Sequence, residues 1–336
     1  MQKRQLGPFI VSAIGLGCMN LSHAYGAPVT AAEGEKILTA ALAAGVTHFD
    51  TAALYGFGAN EELVGRVLKP HRHEITLASK GGMAGVRNDT GAMVRVIDAR
   101  PETIRRNCED SLRRLGTDVI DLYYLHRWDK KVPIEESVGA LSDLVRAGHI
   151  RAIGLSEVSA QTLRRAHAVH PVTAIQTEYS LWTRNPEIAV LKAARELGVA
   201  FVAFSPLARG FLSGRLTDVG SLDGKDIRRN MPRFAPETYA RNLELLPGYA
   251  KLAAEAGCSP AQLALAWLLH KGDDILPIPG TTKLEHLEED LAAAAVRLDA
   301  GLMARVEAVI NERTVTGARY NPQGESEVDT EAFARA

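Results

Sequence analysis

Amphipathic helices that end at glycine and lead directly into short β-branched strands recur along the chain. The first helix opens with Thr30 and Glu33, at the spacing of a capping box, and ends at Gly45 before a strand segment at 46–50. Similar helix-strand units follow over 101–125, 133–156, 159–177 and 185–205. The pattern predicts alternating helices and strands without an intervening linker.

Eight strands can be assigned in this way. Three strands lie near 13–17, 76–79 and 275–278. The other five end near 50, 125, 156, 177 and 204. Eight parallel strands close more easily into a barrel than they spread into an open sheet of that width. We therefore predict an α/β fold, a (β/α)8 TIM barrel with an N-terminal β-hairpin and long active-site loops. The barrel forms one domain over 1–336, with a C-terminal tail or loop at 312–336.

A doubly wound α/β sheet is the alternative fold. Its usual dinucleotide fingerprint is missing, because Gly15-Leu16-Gly17 lacks a third glycine at the required spacing and does not lead directly into a helix. Gly56-Phe57-Gly58 fails the same test. The sequence therefore argues against a Rossmann cofactor site.

Composition narrows the range of partners and compartments. Lys and Arg together number 39 against 40 Asp and Glu, so net charge favours neither nucleic acid nor an anionic membrane. Cys18, Cys108 and Cys258 form no C-x-x-C motif, which argues against a disulfide framework or a structural zinc site. No signal-peptide core and no apolar run of about 18 residues is present, so we predict a cytoplasmic protein. Oligomeric state is not predicted.

Polar side chains stand at the predicted carboxyl ends of strands two to six. These residues are Asp50, Lys80, His126, Ser156 and Gln176, and Tyr55 lies in the loop after Asp50. Barrel enzymes keep their active sites at this face, so the side chains should converge. Singly, each also has a structural interpretation: Asp50 as a turn cap, Tyr55 as a rim aromatic, Lys80 as a surface cation and His126 as a core imidazole.

The stretch Phe49-Asp50-Thr51-Ala52-x-x-Tyr55-Gly56-x-Gly58-x-x-Glu61-x-x-x-Gly65 resembles the signature of the aldo-keto reductase family. The resemblance continues in the family's order through Ser79-Lys80, Asp121 to His126, Ile153 to Ser156, Gln176 to Ser180, Phe204 to Leu207 and Ile278 to Thr281. It implies a (β/α)8 barrel and an NADPH-dependent carbonyl reductase. By family position, Tyr55 is the proton donor, Lys80 lowers its pKa, Asp50 orients Lys80, and His126 positions the substrate oxygen.

The resemblance also implies a set of NADPH contacts. Ser156, Gln176 and Phe204 would hold the nicotinamide. The other expected cofactor residues are Gly17, Met19, Ser205, Leu207, Arg209, Gly210, Gly280, Thr281, Thr282, Lys283, His286, Glu289 and Asp290. Of these, 281–283 are expected at the start of the last helix, where backbone N–H groups favour a 2′-phosphate. Relatives have Lys, Arg and Asn where Gly280, His286 and Asp290 stand, so NADH remains an alternative cofactor. Glu157 likewise replaces a common asparagine.

A basic segment between Arg209 and Arg233 is expected either to clamp the pyrophosphate or to form a solvated surface loop. No metal is expected, because His71 and His73 precede strand three, at the end of the barrel away from Asp50. The predicted substrate is a neutral, largely apolar carbonyl compound. Its proposed walls are Tyr25, Phe57, Trp128 and Trp182, although the two tryptophans could instead pack the loops. The basic segment after Arg209 could also recruit an acidic substrate if the cofactor leaves charge unpaired.

Other functions remain open at this point. The same family includes regulatory subunits of the potassium-channel β type, and the reaction could run mainly as alcohol oxidation with NADP+. An unrelated barrel hydrolase would need inward carboxylates or metal-binding histidines, and only Asp50 and His126 are available.

Overall fold

The computed structural model describes residues 2–22 and 24–333, and it begins with the predicted hairpin. Strands β1 (Lys3–Leu6) and β2 (Phe9–Ser12) pair antiparallel across a turn in which Gly7 has a φ of 57°. Leu6 and Val11 are fully buried in a cluster with apolar residues of the barrel strands. The hairpin therefore packs against the interior of the barrel.

Eight parallel strands form the barrel. They are β3 (Leu16–Gly17), β4 (His48–Asp50), β5 (Thr76–Gly81), β8 (Ile120–Leu125), β9 (Ile150–Ser156), β10 (Ala174–Glu178), β11 (Ala200–Phe204) and β12 (Ile275–Pro277), each hydrogen-bonded to the next. The N–H of Gly15 donates to the carbonyl of Pro277 at 3.0 Å, and that of Gly17 donates to Pro279 at 2.9 Å. These bonds join the first strand to the last and confirm the predicted (β/α)8 fold.

Helices follow the strands and cover the barrel. They are α1 (Ala31–Ala43), α2 (Ala59–Leu68), α3 (Pro101–Leu115), α4 (Ile134–Arg146), α5 (Ala160–Val169), α6 (Val190–Leu197), α7 (Pro236–Leu243), α8 (Leu246–Glu255), α9 (Pro260–Lys271), α10 (Leu284–Ala292), α11 (Ala300–Val309) and α12 (Pro322–Ser326). The capping box of Thr30 and Glu33 opens α1 as predicted. Gly116 ends α3 with a φ of 62°, a left-handed conformation that glycine adopts without steric cost.

Two features differ from the sequence prediction. A second antiparallel hairpin, β6 (Met83–Arg87) and β7 (Met93–Ile97), follows β5. The helix after β12 is α10, and it is not the last helix, because α11 and α12 come later in the chain. The predicted phosphate-binding segment therefore precedes the helix directly after the barrel's last strand.

The C-terminal segment lies beside the carboxyl ends of the strands. Arg319 forms a buried ion pair with Glu157, directly after β9, and Asp329 accepts hydrogen bonds from Ser159 and Thr162. Residues 334–336 of the predicted tail lie outside the described part of the chain. The segment thereby places Tyr320 at the mouth of the barrel.

No single helix in 2–22 and 24–333 is long and apolar enough to cross a membrane. The helical segment Pro236–Glu255 and helix α9 are together long and apolar enough, but they are bent by 75° at the break between them.

Candidate active site

The side chains of Asp50, Lys80 and Tyr55 meet at the carboxyl ends of β4 and β5. The Lys80 ammonium donates to Asp50 Oδ1, to the Thr51 carbonyl at 2.9 Å and to the Tyr55 hydroxyl at 3.2 Å. Lys80 is fully buried and the carboxylate is almost so. The second Asp50 oxygen, Oδ2, accepts from Gln176 Nε2 at 2.8 Å. One connected chain of hydrogen bonds therefore runs from Gln176 to the Tyr55 phenol.

A tight turn after β4 presents Tyr55. The turn covers Tyr55–Gly58, and its Gly56, Phe57 and Gly58 all have positive φ before α2 begins. Glycine tolerates this backbone, which explains the Gly-x-Gly spacing after the tyrosine. His126, directly after β8, lies edge-on to the Tyr55 ring with the ring centroids 5.8 Å apart. Asp50, Tyr55, Lys80 and His126, the tetrad predicted to act in catalysis, thus lie together in the fold.

Burial and charge act in opposite directions on these groups. Burial disfavours the Lys80 ammonium, but Asp50 and Tyr55 outweigh it and raise the pKa of Lys80 above its ordinary value. Burial also raises the pKa of Tyr55, and Lys80 offsets only part of this effect. Lys80 thus lowers the pKa of the Tyr55 phenol, in the direction expected from the sequence, but burial is the larger effect. The phenol stays protonated at neutral pH.

A cavity of about 530 Å3 opens over the tetrad, which is within the range of small-molecule and cofactor sites. The predicted residues on its wall are Gly17, Met19, Tyr25, Asp50, Tyr55, His126, Ser156, Gln176, Phe204, Ser205, Leu207, Arg209, Gly210, Gly280, Thr281, His286, Glu289 and Asp290. The cavity therefore joins the ends of β4 and β8 to the beginning of α10.

Near the tetrad, Ser156, Gln176 and Phe204 stand at the ends of neighbouring strands β9, β10 and β11. Ser156 Oγ accepts a hydrogen bond from Arg127, which leaves its own O–H to donate. Gln176 donates to Asp50, which leaves its carbonyl oxygen to accept. These groups fit a carboxamide, which needs one donor and one acceptor.

At the far end, Gly17 and Gly280 lie where β3 meets the segment after β12. A Cβ at position 280 would come 2.7 Å from the Gly17 carbonyl oxygen, so any other residue there would require the backbone to shift. Thr281, His286, Glu289 and Asp290 line the cavity beside it, and burial raises the pKa of Asp290 to about 7. Thr282 and Lys283 precede α10, and the Lys283 side chain is largely exposed.

The basic segment is held by the protein itself. Arg209 pairs with Glu178 at 2.8 Å, Arg228 with Asp226 at 2.6 Å and Arg215 with Glu289 at 2.9 Å. Arg233 donates to the Trp182 carbonyl and the Thr183 hydroxyl. Ion pairs and hydrogen bonds of its arginines therefore hold the segment over the cavity, so it is not a fully solvated loop.

The four aromatic residues predicted to line the substrate pocket lie in different environments. Tyr25 lines the cavity, whereas Trp182 is buried and stacks on Phe211 with the ring centroids 4.2 Å apart. Trp128 donates to the Val132 carbonyl at 2.6 Å and packs against the core from a partly buried position. Phe57 is 43% exposed and packs beside Gly85 of β6. Trp128 and Trp182 pack the loops, which is the structural alternative for them.

Several wall residues were not among the sequence candidates. They include Met83, Arg127, Ile227, Met231 and Tyr320. Arg127 directly follows His126, so its place beside a catalytic candidate was available as a signal. The others come from the second hairpin, the long loop and the C-terminal segment, whose paths depend on tertiary contacts. Within 2–22 and 24–333, no group of three or more His, Cys, Asp or Glu is arranged to hold a metal ion.

The model of the Aldo/keto reductase family matches residues 13–311, which is most of the chain. The protein belongs to the aldo-keto reductase family. Members are NADP(H)-dependent oxidoreductases, so the predicted enzyme class is confirmed.

The matches to individual proteins extend over nearly the whole chain. The aldo-keto reductase yakc [NADP(+)] of Schizosaccharomyces pombe is 44% identical over 330 residues, covering 97% of this chain and 96% of that protein. The probable aldo-keto reductase 1 of Glycine max is 43% identical, covering 93% and 89%. The structure of the glycerol dehydrogenase AKR11B4 from Gluconobacter oxydans matches with a TM-score of 0.84 at 29% identity, covering 95% and 98%.

Proposed function

We propose that this aldo-keto reductase interconverts aldehydes or ketones and alcohols with NADP(H), using Tyr55 as general acid in reduction and general base in oxidation. The observation that carries the proposal is the 3.2 Å contact between the Tyr55 hydroxyl and the Lys80 ammonium, which Asp50 holds. NADP+ is the cofactor in the name of the S. pombe relative. The proposal applies that cofactor to this chain.

The cavity residues fit NADP(H). Ser156 and Gln176 offer the donor and acceptor that a nicotinamide carboxamide needs, with Phe204 beside them. The beginning of α10 supplies backbone N–H groups for a phosphate, and Glu289 and Asp290 supply acceptors for the adenine amine. When bound, NADP(H) supplies or accepts the hydride.

The chain's own residues control the proton. During reduction, the Tyr55 hydroxyl transfers its proton to the substrate oxygen. The Lys80 ammonium stabilises the phenolate that remains. Asp50 keeps this ammonium charged within the barrel, and Gln176 fixes the carboxylate in turn. His126, edge-on to Tyr55, orients the substrate oxygen. Reversal of the same steps oxidises an alcohol.

The wall around Tyr55 supports broad acceptance of bulky apolar carbonyl compounds. Leu54 and Met83 form a buried cluster with Tyr55, and Met19 packs against it. Methionine side chains are flexible and adapt to ligands of different shapes. Apolar contact contributes about 25 cal/mol per Å2 without requiring one geometry. The proposed substrate walls are therefore these residues and Tyr25, in place of the two tryptophans.

The direction of reaction should depend on pH through Tyr55. Reduction needs the phenol, and burial raises its pKa above the ordinary 10.0. We expect kcat/KM for benzaldehyde to stay constant through neutral pH and to fall only at alkaline pH. Oxidation of benzyl alcohol needs the phenolate, so its kcat/KM should rise about tenfold per pH unit through the same range. Parallel profiles in the two directions would contradict the assignment, and absence of turnover in both would favour a regulatory subunit.

The preference for NADPH should depend on Lys283, which forms the N-cap of α10. A charge-assisted contact with a phosphate contributes roughly 1.5–3 kcal/mol, so Lys283→Ala should weaken NADPH binding about tenfold or more. NADH lacks the 2′-phosphate, so its affinity should not change. Fluorescence titration with both cofactors measures this, with Lys251→Ala on α8 as the matched control. An unchanged ratio of the two affinities would place the phosphate elsewhere.

A further inference from the structure

Four arginine side chains line the cavity, and their electrostatic partners differ. Arg209, Arg215 and Arg228 each form an ion pair with a carboxylate of the protein. Arg127 forms none with the residues described in 2–22 and 24–333, although it lies on the same wall. A cation left without a counterion in a cavity is the feature that needs an explanation.

The hydrogen bonds of Arg127 use only one of its nitrogens. Its Nη1 donates to the His126 carbonyl at 2.8 Å and to Ser156 Oγ at 2.9 Å. Within the described residues, no acceptor is found for Nε or Nη2. A guanidinium presents its N–H groups as a planar fork that matches the two oxygens of a carboxylate. Arg127 is thus anchored by one nitrogen and retains N–H groups for a ligand.

Arg127 also lies beside the reacting groups. It directly follows His126 and contacts Ser156, both on the cavity wall near Tyr55. Burial raises the pKa of Tyr55, and Arg127, like Lys80, is among the charges that oppose this rise. Its positive charge therefore reaches the place where the substrate carbonyl must bind.

NADP(H), bound as proposed above, would not provide a counterion for Arg127. The segments at 205–215 and 281–286 would hold the phosphates, and Ser156, which contacts Arg127, would hold the neutral nicotinamide carboxamide. Free guanidinium N–H groups on a cavity wall favour an anionic ligand, and the substrate is the remaining source of one.

We infer that Arg127 is a specificity residue that binds a carboxylate on the substrate, close to the carbonyl that is reduced. The inference rests on the proposed function and deepens it. The favoured substrates then combine an apolar body with a carboxylate beside the C=O group, as in 2-oxo acids. Neutral apolar carbonyl compounds remain substrates, but they lack this contact.

The test compares phenylglyoxylate with its methyl ester, which has the same ring and ketone but no charge. Isothermal titration of the NADP+-saturated protein measures binding without turnover, because the oxidised cofactor cannot reduce the ketone. We expect Arg127→Met to weaken binding of the acid about tenfold or more and to leave the ester within about twofold. Arg127→Lys, which keeps the charge, should retain part of the preference for the acid.

Steady-state oxidation of NADPH with both compounds provides the second measurement. Arg127→Met should raise KM for the acid and change kcat much less, because the contact holds the substrate and transfers no proton. Arg146→Met is the matched control, since it removes one exposed cation from α4. An equal loss for acid and ester, or no loss for either, would overturn the inference. Arg127-dependent binding of the acid without reduction of either compound would retain the anion site and refute the proposed function.

Discussion

Replacing Tyr55 by phenylalanine is expected to lower carbonyl reduction by about 10²- to 10⁴-fold, the usual contribution of a positioned general acid. The substitution removes a hydroxyl that both contacts Lys80 and lines the cavity. The ring and its edge-on contact with His126 remain, so the shape of the site is preserved. Affinity for NADPH should therefore change little while turnover is lost.

Tyr239→Phe provides the matched control. Its hydroxyl donates to the Leu216 carbonyl at 2.7 Å, so the variant loses a tyrosine hydroxyl outside the tetrad. Stopped-flow and steady-state rates should fall only in Tyr55→Phe, with equal thermal stability checked for both variants. Turnover within about tenfold of the wild type in Tyr55→Phe would assign the proton to another group.

Replacing Lys80 by methionine should affect both stability and catalysis. The ammonium is fully buried against Asp50, and its loss leaves that carboxylate in the barrel without a counterion. Breaking a buried pair in this way typically costs about 3–5 kcal/mol. The phenolate of Tyr55 also loses its stabilising charge, so reduction should fall by about 10²-fold or more. Urea denaturation and steady-state kinetics measure the two effects separately.

The double variant Asp50→Asn, Lys80→Met separates the two roles of the pair. Neutralising Asp50 removes the unpaired charge, so much of the lost stability should return. Activity should not return, because Tyr55 still lacks its ammonium partner. The stability lost in the double variant is compared with the sum of the losses in Asp50→Asn alone and Lys80→Met alone. Equality of the two would show that the residues do not act as a pair.

Local signals explain which parts of the fold the sequence predicts well. The capping box at Thr30 and the left-handed glycine at Gly116 each depend on a few neighbouring residues. Buried parallel strands carry apolar runs, so their order and number follow from the chain alone. Strand ends also pointed to Asp50, Lys80 and His126 as neighbours, whereas the catalytic roles of these residues and of Tyr55 came from the family resemblance.

Contacts between distant segments explain what the sequence could not predict. Trp182 packs on Phe211 in the long loop, so its proximity to the strand-six segment did not reveal its position. The ion pair of Arg209 with Glu178 likewise requires knowing how that loop folds back. The close approach of Gly280 to the Gly17 carbonyl oxygen joins segments that are more than 260 residues apart in the chain. Each outcome depends on tertiary packing that no local pattern encodes.

Transfer of deuterium from labelled NADPH would show whether hydride passes from the cofactor to a carbonyl carbon in this protein. NADPH carrying deuterium at either face of C4 would be incubated with aliphatic, aromatic, dicarbonyl and polycyclic ketone substrates, and the products examined by mass spectrometry. We expect the wild type to form alcohols with one deuterium on the carbinol carbon from only one of the two labelled cofactors, and we expect Tyr55→Phe to form none. Tight binding of NADPH without deuterium transfer from either face to any substrate would contradict it.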